Sequence, residues 1–539
     1  MATRSLVLTR QIAWSLVGVL CWALFPSLAL AWTDPLSHEE RVGRTIYHRG
    51  QVEGADEIRA QLNGASEFLP ATLFRCAQCH GVRGEGIQEG GLRVPPLTNF
   101  ALRHSRDSLQ TGYHREAYTD ETLARAITQG LDASGQPLHT SMPRYRMTSA
   151  HLAAMVAYLK QIGEDVDTDP GITATTITVG SALPMSGPLA QIGRDVTATL
   201  TGMLARVNQR GGVYGRQVQL VVEDSAGDPA KTATATAHLI EQRQVFALLG
   251  SFAPLGDSAT LEVLERNQVP LIGPLALSPH VLDPPHPYIF YALPGFELQF
   301  RAAIDFLRDR ALALTGSAQP RLAVVRAKVS GNLDALQGIR VQASHHALAV
   351  VVEHDYQPGR LDVEALVEKL RKERVDAVVL LGEGEDVLVL GTELDRQGLS
   401  PVLLSAVSMV GQRVRTMPSR MMSRIFLVAP LPPPTKEDVE SLSALAGQEA
   451  ISSPGFARMA YIAASALVEA CMRAGRQLNR SALIEALETF RDQDAGPGSL
   501  LTFDAHRRMG TSRSMILSLT PDHPYLVPVS GWVVPIGGP

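Results

Sequence analysis

The alternation of apolar and polar residues changes character near residue 173. Before it, apolar positions recur at helical spacing. Leu152, Met155, Val156 and Leu159 fall at i, i+3, i+4 and i+7, and Thr148 ahead of them is a capping residue, which predicts a helix over 148–161. Ser37-His38-Glu39-Glu40 has the spacing of a capping box and is followed by Val42, Ile46 and Tyr47 on one face, which predicts an opposing helix. After residue 173, short β-branched runs alternate with stretches long enough for a helix. Candidate strands are 177–179, 218–223, 246–250, 288–291, 322–325, 348–354, 377–381, 402–404 and 425–428. This alternation predicts parallel sheets covered on both faces, and its length favours two α/β lobes over one short sheet. A helix over 456–474, with Ala460, Tyr461, Ala464 and Leu467 along one side, and another over 480–490 complete the pair.

The N-terminus has a different pattern. Arg4 and Arg10 precede an apolar run from Ile12 to Leu24, and Ala29-Leu30-Ala31 has the small-x-small form of a signal-peptidase site. Residues 1–31 are expected to be a signal peptide cleaved near Ala31, placing the chain in the periplasm; uncleaved, the run would anchor it in the membrane. Leu20 before Cys21 is not the small residue that lipidation needs. Residues 163–175, beginning Gly163-Glu164-Asp165-Val166-Asp167, are acidic and aperiodic and read as a linker. With 539 residues, 45% apolar and 19% charged, the chain has core enough for about three compact units. The net charge of −5 gives no electrostatic case for binding nucleic acid.

Candidate chemistry centres on Cys76-Ala77-Gln78-Cys79-His80, the spacing required for covalent attachment of c-type haem. Cys76 and Cys79 would add across the porphyrin vinyl groups, and His80 would supply the proximal nitrogen. Half of a zinc site or a redox dithiol are the alternatives, but the other cysteines are only Cys21 and Cys471, which leaves no second ligand pair. One covalent haem c is therefore expected. Downstream, Ser141-Met142-Pro143 offers a thioether in a loop stiffened by proline, and Met142 is the expected second axial ligand. Met147 and Met155 read as packing, and His104, His114, His139 and His151 are rivals for the position. Cys471 reads as a buried apolar residue.

On these residues, together with Gly43, Tyr47, Pro95-Pro96-Leu97 and Tyr158-Leu159, residues 37–162 resemble a class I cytochrome c. The resemblance implies an all-α domain over 32–162 in which a proline carbonyl, from Pro95 or Pro96, accepts the proximal histidine Nδ1–H.

Pro184-Met185-Ser186-Gly187-Pro188, the run from Val207 to Arg216, Glu223-Asp224-Ser225-Ala226-Gly227-Asp228-Pro229 and Gly498-Ser499-Leu500-Leu501-Thr502-Phe503-Asp504 resemble type I periplasmic solute-binding proteins of the branched-chain amino-acid transporter class. The resemblance implies a two-lobed α/β fold over 176–520, the first lobe at about 176–292 plus a later return segment and the second centred on about 293–425, with 521–539 as an extension. In amino-acid-binding members, hydroxyls after two first-lobe strands hold the ligand carboxylate and a second-lobe acid holds the ammonium. Here Pro254 and Leu277 fall where the hydroxyls are expected, and Val407 lies near the acidic position. Losing two such anchors would weaken binding by about 3 to 6 kcal/mol, roughly 10² to 10⁴ in Kd, so an ordinary α-amino acid is disfavoured. The expected cleft residues are Met185, Ser186, Ser251, Phe252, Leu277, Ser278 and Glu383, which suit a less polar or uncharged solute.

The sequence thus predicts an exported, non-enzymatic electron carrier, whose solute-binding-protein-like module recognises a small molecule or docks a periplasmic redox partner such as a dehydrogenase. The alternative is a receptor or sensor serving an ABC permease, with haem as a redox-responsive accessory. A haem enzyme is disfavoured because Met142 would close the sixth iron position.

Overall fold

The computed structural model describes residues 36–537, except 53–56, 63–64, 90–91, 108–112, 164–167, 253–257, 277–284, 330, 412, 449, 497 and 521–522. The chain divides into two compact units between residues 167 and 168. The expected signal peptide lies outside the described residues.

In the first unit the predicted capping box opens helix α1 (His38–Arg49): Ser37 Oγ accepts from the Glu40 N–H at 3.2 Å, and Glu40 Oε2 accepts from the Ser37 N–H at 2.7 Å. Helices α2 (Cys76–His80), α3 (Asn99–Arg103), α4 (Asp120–Gln129) and α5 (Ser149–Leu159) follow. Thr148 caps α5 through the His151 N–H at 3.2 Å. Helices α1 and α5 pack directly because residue 43 is glycine; a side chain there would run into the Ala154 carbonyl and Tyr158. Tyr47, Met155 and Tyr158 fill the contact, each at most 2% exposed. The unit also holds a feature absent from the all-α expectation. Residues 69–70, 59–61 and 144–146 form a small antiparallel sheet, which pins the chain just after Met142.

Among the described residues the second unit has two large sheets and a two-stranded antiparallel one, Gln493–Gly496 with Ser499–Leu501. The first-lobe sheet contains β1 (Thr176–Leu183), β2 (Gln217–Asp224), β3 (Ala247–Leu249), β4 (Leu271–Ile272) and β5 (Ile289–Phe290) in the order β5-β4-β3-β1-β2, all parallel. The second-lobe sheet contains β6 (Leu322–Ala327), β7 (Val350–Tyr356), β8 (Ala377–Leu381), β9 (Val402–Ala406), β10 (Ile425–Ala429), β11 (Ser514–Thr520) and β12 (His523–Val533), in the order β7-β6-β8-β9-β10-β11-β12. Its last two strands run antiparallel. The helix Pro454–Ala474 returns to the first lobe, where Ala460, Ala463, Leu467 and the buried Cys471 join the core against β1 and β3.

The structure departs from the sequence reading at three further places. Within the expected extension, β12 (His523–Val533) completes the second-lobe sheet. Pro524, Pro528 and Gly531 disguise it, and an edge strand tolerates proline since one side of its backbone needs no partner. Strand β4, two residues long, is too short to show a period. The linker is shorter than its composition suggests, since Asp169 is 5% exposed and its carboxylate accepts from the N–H of Arg480, the first residue of the helix Arg480–Glu488. An anion is favoured at that helix end.

Candidate functional site

The attachment turn is built so that backbone atoms orient side chains. Helix α2 carries Cys76 half-buried, Cys79 exposed and His80 only 6% exposed. His80 Nδ1 donates to the Pro95 carbonyl at 2.9 Å, so of the two candidate prolines Pro95 is the acceptor. Gly86 N–H bonds back to the His80 carbonyl at 2.7 Å, closing the loop that delivers Pro95. With Nδ1 engaged, Nε2 remains as the ring's ligand atom. Burial, partly countered by the Pro95 carbonyl, holds the imidazole below its ordinary pKa, in the neutral form a metal needs. Gly81, at φ +82°, turns the chain out of the helix, and its carbonyl accepts from the buried Tyr47 hydroxyl at 2.7 Å. Burial raises the Cys76 thiol to about 11, and the Tyr145 hydroxyl stands 3.9 Å from its sulfur.

Met142 is half-buried in a turn in which its N–H donates to the His139 carbonyl at 3.0 Å and its own carbonyl accepts from Arg144. Among its rivals, Met155 is core, His104 is exposed and bonded to the Phe100 carbonyl, and His139 is exposed and bonded to Ser141. His114 is exposed beside Glu116, and Met147 and His151 are half-buried. The donor chemistry fits a covalently held haem: two thiols and one backbone-anchored neutral imidazole on a single turn, with a thioether in a pinned loop. Sequence reasoning assigned no role to Arg144 or Tyr145. The visible signal is Arg144-Tyr145-Arg146, a period-two run that reads as a short strand.

The expected cleft residues follow the carboxyl ends of sheet strands. Met185 and Ser186, after β1, donate their N–H groups to Asp224 Oδ1 at 2.8 and 3.2 Å; the Ala226 N–H makes a third bond at 2.8 Å. These donors, with the Ser186 hydroxyl foremost, hold the Asp224 carboxyl below its usual range. Ser251, after β3, is 3% exposed, and its Oγ accepts from the Ala182 N–H at 3.1 Å. Phe252 is half-buried with its ring 6.4 Å from that of Phe456. Pro254, Leu277 and Ser278 lie outside the described residues. In the second lobe Glu383, after β8, is exposed and lines a cavity of about 820 Å³ with Phe296, Val329, Met409 and Arg413. Val407 is half-buried after β9, and the neighbouring Ser405 hydroxyl donates to the Leu380 carbonyl at 2.8 Å.

A haem-type attachment turn in a small helical unit, ahead of two α/β lobes with residues gathered at strand ends, defines a cytochrome joined to a solute-binding fold. Comparison with known families agrees: cytochrome c matches residues 70–163 and periplasmic binding protein matches residues 176–522. The chain belongs to the periplasmic binding protein family and carries a cytochrome c domain ahead of it. The leucine-, isoleucine-, valine-, threonine- and alanine-binding protein of Pseudomonas aeruginosa is 26% identical over 228 residues, 42% of this chain and 59% of that protein. The Leu/Ile/Val-binding protein homolog 3 of Brucella melitensis is 21% identical over 332 residues, 60% of this chain and 86% of its own. The chain spans just over half the length of the first two curated relatives it matches, 59% and 54%. Among solved structures, a leucine binding protein from Thermotoga maritima superposes with TM-score 0.51 at 17% identity, covering 67% of this chain and 100% of its own. A fatty acid ABC transporter substrate-binding protein from Thermomonospora curvata gives 0.54 at 22% identity, covering 68% and 95%. These structures share the fold. Neither family is enzymatic in general.

Proposed function

We propose that this protein is an exported c-type cytochrome that carries single electrons in the periplasm. Cys76 and Cys79 hold one haem covalently, His80 and Met142 are its axial ligands, and Pro95 fixes the histidine tautomer. When bound, haem supplies a one-electron iron couple. The observation that carries this reading is the buried His80, tied through Nδ1 to the Pro95 carbonyl at 2.9 Å so that Nε2 is the ring nitrogen left for iron. The solute-binding module then recognises a small molecule or docks a redox partner such as a periplasmic dehydrogenase. A reduced-minus-oxidised spectrum of the exported protein tests the reading, with haem retained on the polypeptide after denaturing electrophoresis. Absence of covalently retained haem would overturn it.

A second reading, a receptor or sensor for a solute other than an ordinary α-amino acid with an ABC permease as partner, draws support from the 820 Å³ second-lobe cavity. Phe296, Val329, Pro358 and Met409 give it an apolar wall beside the charged residues Glu383, Glu385, Asp386 and Arg413, and that wall would seat an apolar or aromatic body. Saturable solute binding that is indifferent to haem redox state would favour this reading.

A further inference from the structure

We propose that Arg144 and Tyr145 are positioning residues, which hold the Met142 loop against the attachment turn and thereby set how firmly the Met142 thioether is kept at the iron. The inference rests on the reading that Met142 is an axial ligand. Three observations carry it. First, the Arg144 guanidinium donates to the carbonyl of Met142 itself. Second, that guanidinium lies over Gly130, the left-handed residue (φ +69°) that ends α4, where any side chain would run into it. The bare glycine is therefore the seat on which Arg144 rests. Third, Tyr145 is 5% exposed, and its hydroxyl donates to the Phe74 carbonyl at 2.5 Å, two residues before Cys76 and 3.9 Å from the Cys76 sulfur.

The small sheet makes this a fixed frame. Tyr145 pairs with Ala60, and Ala60 pairs with Leu69, so the strand after Met142 cannot slide without breaking both ladders. Arg144 thus holds the Met142 backbone from one side, and Tyr145 ties the next turn of chain to the segment that bears Cys76. A neutral thioether is a weak ligand and depends on being held in place. Loosening either tie lets an outside ligand compete.

Imidazole titration of the full-length ferric protein, followed by absorbance, tests this. Met142→Ala is expected to bind imidazole most tightly. Tyr145→Phe keeps the ring but loses the hydroxyl, and Arg144→Gln loses the charge; each is expected to raise imidazole affinity about tenfold over wild type, the effect of about one hydrogen bond. Arg144→Lys, which keeps a cationic donor but loses the planar fork, is expected to fall between Arg144→Gln and wild type. If Tyr145→Phe yields no holoprotein, the two Arg144 variants decide. Lowered melting temperatures with wild-type imidazole affinity would make both residues merely structural and overturn the proposal. Wild-type protein that binds imidazole as tightly as Met142→Ala would instead overturn the axial role of Met142, and this inference with it.

Discussion

The attachment turn and the solute cleft commit their polar groups in opposite ways. Around the turn, the Tyr47 hydroxyl goes to the Gly81 carbonyl, the Tyr145 hydroxyl to the Phe74 carbonyl and the His80 Nδ1 to the Pro95 carbonyl. Every one of these bonds fixes the frame while His80 keeps a ligand atom. At the first-lobe strand ends, Asp224 gathers three backbone N–H groups and the Ser251 hydroxyl receives a fourth from Ala182. There the polar atoms are drawn into the scaffold. A site built to hold a charged solute needs polar groups left over after the loops are satisfied, because a buried donor or acceptor without a partner is costly. The polar bonds of the helical unit thus leave one buried ring nitrogen for a ligand, whereas those of the described first-lobe strand ends are spent on the scaffold.

Removing the two thiols of the turn should have the most severe consequence. Cys76→Ala with Cys79→Ala is expected to abolish covalently retained haem completely, read by haem staining after denaturing electrophoresis. The solute-binding unit should stay folded, read by an unchanged thermal transition of that unit. Loss of both transitions would show that the binding unit depends on the haem unit for its fold.

How much of each site the sequence disclosed follows from the same contrast. The expected attachment and proximal residues Cys76, Cys79 and His80 lie within five consecutive residues, and their linear order is itself the signal. The helix packing was legible too, since the box at Ser37 and the cap at Thr148 act within one turn. Arg144 and Tyr145 were not, because their partners at Gly130 and Phe74 become neighbours only after folding. Nor could composition reveal that Asp169, in an acidic run that looks like linker, finds a helix N-terminus more than three hundred residues later. Strand β12 was hidden by its prolines, which signal a loop unless the edge position is known. The cleft suffers most, since its residues come from loops after different strands and a slip of one position changes every assignment.

The next effect in size concerns the frame of the helical unit. Gly43→Val would force a side chain into the Ala154 carbonyl and Tyr158, and overpacking of this kind costs about 1 to 3 kcal/mol. The haem unit's melting transition should fall by several degrees or more while that of the binding unit stays in place. An unchanged haem-unit transition would mean that α1 and α5 do not meet at Gly43.

A smaller effect is expected at the start of the binding unit. Asp169→Ala removes a carboxylate that caps the buried Arg480 N–H and should destabilise that unit by about 1 to 2 kcal/mol, read by denaturant unfolding. The haem spectrum should not change. This also sharpens the boundary, since a fragment beginning at residue 173 would lack Asp169 and should be less stable than one beginning at residue 168.

The smallest signal is expected where the cleft meets leucine. The family resemblance implies that Pro254, Leu277 and Val407 replace the hydroxyl and acidic anchors of amino-acid binders, and the Ser251 hydroxyl already accepts from Ala182. The described cleft residues add the half-buried Phe252 near Phe456 and a second-lobe cavity whose apolar wall faces the charged side chains Glu383, Glu385, Asp386 and Arg413. Arg413 donates to Glu385 at 2.6 Å and Tyr356 to Asp386 at 2.7 Å, so these cavity charges are already engaged; desolvating a zwitterion is then not repaid in full, and leucine, isoleucine and valine should bind no tighter than about millimolar, near −4 kcal/mol. Calorimetry on the full-length protein reads this directly. Micromolar binding of any of the three would show that loop residues flanking Pro254 and Leu277 supply the missing anchors, and the contrast between a ligand-centred haem site and a self-satisfied cleft would fail. Micromolar binding of an uncharged aromatic solute, with the three amino acids inert, would keep the contrast and give it a chemical meaning: the cleft discards polar anchors because its ligand has no charge to meet them.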